Sequence, residues 1–150
     1  AAWTGKRLPT EFEWELAARG GLRKLDDGSG PKNLLRSPPI YPGGDEFPSQ
    51  ICNTYESGVG PISVYKTKDI SPYGVFGMCG NAREWTSSDY RPYPGHQFRT
   101  KNAGKLFKVI RGGSYHQTSE NARFDARDYG GFPDLKRDRT AGFRLVRAAP

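Results

Sequence analysis

Histidine and cysteine are scarce in this chain, with two of each in 150 residues. His96 and His116 are one too few for a three-histidine iron site, and each reads as a surface or hydrogen-bonding residue. Cys52 and Cys79 cannot make the disulfide framework of a small secreted domain. They read as two small buried thiols, with a single bridge as the alternative. No apolar run approaches the ~18 residues of a membrane span, and no secretory apolar segment is present. The only methionine is Met78, so the chain reads as a processed, excised or incomplete product. Nothing in it addresses a compartment or fixes an oligomeric state. No Ser-His-Asp set, phosphate loop or dinucleotide signature stands in a proper context.

Aromatics are plentiful. They make up 13% of a chain that is only 35% hydrophobic, so tryptophan and tyrosine must carry much of the burial. Nineteen glycines and twelve prolines suit a loop-rich fold and argue against a helical bundle. The length suits one domain over residues 1–150. The net charge of +7 favours solubility and acidic partners. The basic residues alternate with Glu120, Asp125, Asp128, Asp134 and Asp138. That pattern, without a nucleic-acid reading motif, argues against nucleic acid as the partner.

Thr10-Glu11-Phe12-Glu13 has capping-box spacing, and Gly20-Gly21 supplies a stop. A helix is predicted over residues 11–19, with Phe12, Leu16 and Ala17 on its apolar face. Residues 22–50 are punctuated by DDGSGP, SPP and YPGGDEFP and read as surface loop. Strands are expected at Glu84–Ser87, Lys108–Arg111 and Phe143–Arg147. Arg111 reads as an internal clamp onto a carboxylate or carbonyl.

Three motifs occur in order: RLPTEFEWELAARGG at Arg7–Gly21, YGVFGMCGNAREWTS at Tyr73–Ser87, and RGGS at Arg111–Ser114 followed by GFRLV at Gly142–Val146. Together they resemble the formylglycine-generating-enzyme (sulfatase-modifying-factor) domain family. The resemblance implies an α+β, C-type lectin-like fold of short strands with long ordered loops. It also implies an upstream strand and first helix, which this chain does not contain and which a missing segment or a partner chain would supply.

The resemblance implies a structural calcium ion held by Glu84, Asn81 and the carbonyls of Gly80 and Ala82, oxygen donors of the kind calcium takes. The alternative is that Glu84 pairs with Arg83 or Arg144. A second, weaker calcium position falls in the loop Asn53–Gly58.

In oxidases of the family, a copper-binding cysteine pair precedes the GFR strand. Between Ser114 and Ala141 this chain has no cysteine, although thiolates are what copper(I) requires. The interval instead holds adaptable polar and flat aromatic side chains. Tyr115, His116, Gln117, Asp128, Tyr129, Phe132, Asp134 and Arg139 are the expected binding surface for a protein or surface ligand. The layout is similar to the variable proteins of diversity-generating retroelements, which enclose varied positions in an RGGS…GFR frame. A non-catalytic ligand-binding module is therefore the expected function. The alternatives are a formylglycine-generating or sulfoxide-synthase-like oxidase and an accessory domain of a larger enzyme.

Overall fold

A computed structural model describes residues 2–21, 38–96, 107–129 and 139–148. Helix α1 spans Glu11–Arg19. Its capping box is complete. Glu13 N donates to Thr10 Oγ1 at 3.2 Å, and Thr10 N donates to the Glu13 carboxylate at 2.8 Å. At the other end Gly20 adopts φ 82° and donates to Leu16 O. Start and stop thus lie where the sequence puts them, but the buried face does not. Glu11, Trp14 and Ala18 face inward, while Phe12 and Leu16 are 64% and 52% exposed. At 3.6 residues per turn, Trp14 lies about 200° around the helix from both. Only one of the two faces can meet the core, and the tryptophan has the larger area to bury.

Four strands form one sheet in the order β3-β2-β1-β4. They are β1 (Arg83–Asp89), β2 (Lys108–Arg111), β3 (Asp128–Tyr129) and β4 (Ala141–Phe143). β1 runs antiparallel to β2, with Glu84 opposite Arg111, and parallel to β4, with Trp85 opposite Phe143. Strand β1 is longer than expected, and β3 is too short to leave a sequence signal. The expected strand Phe143–Arg147 ends early. After Phe143 the chain leaves β1, and Val146 exchanges backbone hydrogen bonds with Arg7. Phe143 is 66% exposed and contributes no core.

The core cluster is built mostly from loops. Trp14 and Ala18 of α1 meet Tyr41, Cys52, Met78, Cys79, Ala122 and Phe124. Cys52 and Cys79 are not free thiols. They form a disulfide with Cα atoms 5.0 Å apart. The backbone decides this pairing: Asn53 and Gly80 form a parallel bridge, which sets their preceding residues side by side. Gly80 has φ 86°, and a Cβ there would lie 2.1 Å from Asn53 O. Only glycine permits that approach.

Arg111 clamps the sheet to the following loop, as its planar fork suggests. Its fully buried guanidinium donates to Phe124 O at 2.9 Å, Ala126 O at 2.8 Å and Asp125 O at 3.2 Å, and it pairs with Glu15.

Candidate functional site

The RGGS turn delivers the expected binding interval to the surface. Gly113 has φ 65°, and a Cβ there would lie 2.8 Å from Ala122 Cα. The chain therefore folds back tightly before Tyr115. Tyr115 N donates to Asn81 O at 3.1 Å, and Tyr55 N donates to Gln117 O at 2.9 Å. Ser119 N donates to the Glu56 carboxylate at 2.9 Å. Residues 115–119 are thus zipped to the turn at Tyr55–Ser57. The result is a ledge on which the Tyr115 and His116 rings lie 5.0 Å apart. Tyr115 is half-buried and His116 is exposed. Tyr55, 66% exposed, is joined to the ledge by its backbone hydrogen bond to Gln117. The sequence does not place Tyr55 here, because its loop matches the second calcium position. Its signal was an aromatic flanked by polar residues ahead of two glycines.

Gln117 and Asp128 come together, both half-buried. Arg83 Nη1 donates to Asp128 at 2.5 Å, and Gln117 Nε2 donates to the same carboxylate oxygen at 3.3 Å. These two side chains hold the interval to β1. Arg139 is exposed, and the next residue's carbonyl accepts from Arg83 N at 3.0 Å. Arg139 therefore enters at the end of β1 where Arg83 meets Asp128. Tyr129 pairs with Val109 across β3 and β2. Phe132 and Asp134 lie outside the described residues.

Of the residues expected to hold calcium, Glu84 and Asn81 have their oxygens engaged by the protein itself. The Arg144 guanidinium takes both Glu84 oxygens, with Nη2 2.6 Å from Oε1 and Nε on Oε2. Trp14 Nε1 also donates to Oε2, at 2.8 Å. The same Nη2 donates to Phe76 O at 3.1 Å and Gly77 O at 3.2 Å. A guanidinium thus occupies the oxygen cluster around Glu84. The Asn81 side chain accepts from Ile62 N at 2.9 Å and Asn53 Nδ2 at 3.1 Å, and its backbone carbonyl serves Tyr115 N. In the second calcium loop, Asn53 Oδ1 accepts from Ser57 Oγ at 2.6 Å and Glu56 from Ser119 N. These donors already serve the protein itself.

Against the C-terminal end of α1 lies a cavity of about 170 Å³, lined by Ala18, Tyr41, Asp69, Ser71, Met78 and Phe124 among others. Asp69 is buried and accepts from Cys79 N at 2.6 Å. Burial pushes its carboxyl up to about 6, against the lowering pull of neighbouring amides.

Comparison with known proteins places this arrangement. The sulfatase-modifying factor enzyme 1-like domain matches residues 1–149. The chain belongs to that family. The family's fold is borne out in space by Treponema denticola variable protein 1, a solved structure 28% identical to this chain. Its TM-score is 0.65 over 93% of this chain and 46% of its own. The α+β architecture is therefore the formylglycine-generating-enzyme type of C-type lectin-like fold. Among curated relatives, inactive C-alpha-formylglycine-generating enzyme 2 of Mus musculus is 31% identical over 166 residues, covering 99% of this chain and 45% of its own length. Hercynine oxygenase of Mycolicibacterium thermoresistibile is 31% identical over 160 residues, covering 97% and 32%. The chain spans less than half the length of these relatives. No helix of the described residues is long and apolar enough to cross a membrane.

Proposed function

We propose that this family member is a non-catalytic binding module that presents the ledge of Tyr115, His116 and Tyr55 to a protein or surface ligand. One observation carries the reading: both cysteines of the chain are joined in the Cys52–Cys79 disulfide. The interval that precedes GFR in the oxidases with a thiolate pair offers aromatic and polar side chains here instead. Zipping to the 55–57 turn holds the aromatic rings in place before any partner arrives, which lowers the ordering cost of binding. The similarity to a variable protein and to a relative named inactive agrees with this reading. The similarity to hercynine oxygenase favours a second reading, in which the domain serves an oxidase whose metal ligands lie in another segment or chain.

Purified protein is incubated with copper(I) and a cysteine-containing sulfatase-motif peptide under oxygen, and the peptide mass is followed. The binding-module reading expects unchanged mass, and conversion to the aldehyde overturns it. The retroelement form of the reading is tested in the neighbouring DNA. It requires a reverse transcriptase and a near-copy of the 3′ coding end.

A further inference from the structure

After the 3-10 turn Val64–Lys66, residues 67–71 run extended with alternating burial. Thr67, Asp69 and Ser71 point inward at 8%, 2% and 8% exposure. Lys68 and Ile70 therefore point outward, as the two-residue period of an extended chain requires, and Lys66, the last residue of the turn, is exposed just before them. The segment folds back as a hairpin. Ser71 N donates to Val75 O at 2.9 Å, Gly77 N donates to Asp69 O at 3.2 Å, and Ile70 bridges Phe76. Directly opposed residues share a face, so Phe76 joins Ile70 outside. These two are 42% and 54% exposed, and Tyr65, just before Lys66, is 91% exposed. Lys66 and Lys68 enter no ion pair among the described residues. The nearest acid in sequence, Asp69, is turned into the cavity behind them.

We propose that the face formed by Tyr65, Lys66, Lys68, Ile70 and Phe76 docks on an anionic lipid surface. Two exposed lysines without an ion pair among the described residues lie along the chain between exposed Tyr65 and Ile70. Lysine is depleted at protein–protein interface cores, so a protein partner is disfavoured there. At a bilayer surface the same pattern is favourable. Lysine ammonium groups meet lipid phosphates while their stems and the neighbouring rings enter the headgroup layer. The net charge of +7 adds long-range attraction to such a surface. The proposal is independent of the ledge and of whether the domain is catalytic.

The test is flotation of the protein with phosphatidylcholine vesicles, with and without phosphatidylglycerol. The expected result is retention on the anionic vesicles alone, reversed by high salt. Lys66→Gln with Lys68→Gln should weaken partitioning about thirty-fold, with an unchanged melting temperature. Tyr65→Ala should weaken it without changing the salt dependence. Failure of the parent to bind anionic vesicles overturns the proposal. So does equal binding by the double variant, or salt-insensitive binding by the parent if that variant does not fold. Capture by polyglutamate with no retention on vesicles also overturns it, and points to an acidic protein partner.

Discussion

Arg144 holds Glu84 by both carboxylate oxygens, with Nη2 2.6 Å from Oε1. The pair joins the residue after β4 to the second residue of β1, across 60 positions of sequence. Trp14 completes it from the helix. Helix, sheet and the GNAREW turn therefore meet on one carboxylate.

That arrangement sets the expected response to calcium. Thermal melts in calcium and in chelator should coincide for the parent, because a guanidinium already neutralises Glu84. A rise in melting temperature with calcium, or stoichiometric calcium in metal analysis, would refute this. Arg144→Gln leaves a largely buried carboxylate without its cation and should cost about 3–5 kcal/mol in urea melts.

Trp14 and Phe143 should behave oppositely on truncation. Trp14 is 1% exposed and Phe143 is 66% exposed. Trp14→Ala is expected to cost about 3–5 kcal/mol, and Phe143→Ala no more than about 0.5 kcal/mol. Equal losses in parallel denaturant titrations would contradict the placement of either ring.

The disulfide closes a loop with a sequence separation of 27. Replacing both cysteines by serine should lower stability by about 3.5 kcal/mol on the chain-entropy account. The parent should likewise melt lower in reductant, whereas the double variant should not respond. A parent indifferent to reductant, with two titratable thiols after unfolding, would show that the bridge is not formed.

Asp69 should give stability an unusual slope with pH. Its folded carboxyl titrates at about 6 against an ordinary 3.8, because burial disfavours the charge. Between those values the native state binds more protons than the unfolded chain. This group's contribution is therefore fully present below about pH 4 and lost as pH rises through 6, a change of about 3 kcal/mol. Asp69→Asn keeps an acceptor for Cys79 N and should remove that slope. The check is the difference between parent and variant melts from pH 4 to 7; no difference in slope would place the carboxyl at its ordinary value.

The ledge predicts a separation of binding from stability. Tyr115→Ala with His116→Ala should change stability by about 0.5 kcal/mol or less for the exposed histidine, and somewhat more for the half-buried tyrosine. Cross-linking of the parent to a surface-protein extract should be lost in this variant while its fold, read by circular dichroism, persists. Unfolding of the variant would make Tyr115 part of the core.

Features that depend on near neighbours are legible along the chain. The capping box, the helix stop and the β-branched run Lys108–Arg111 act within a few residues, so α1 and β2 were legible with their bounds. The ordered motifs carried the family and the α+β fold. Tertiary structure decided whatever needed a distant partner. Phe12–Leu16 and Trp14–Ala18 are both apolar pairs at helical spacing, and only the loops packed beneath the helix select the second. Two cysteines 27 positions apart become a disulfide because Gly80 admits the Asn53 backbone. An acid that matches a calcium motif is taken instead by Arg144, and Tyr55 reaches the ledge through a backbone hydrogen bond to Gln117. In a fold whose core is made mostly of loops, side-chain direction follows from which loops touch. No periodicity along the chain encodes that.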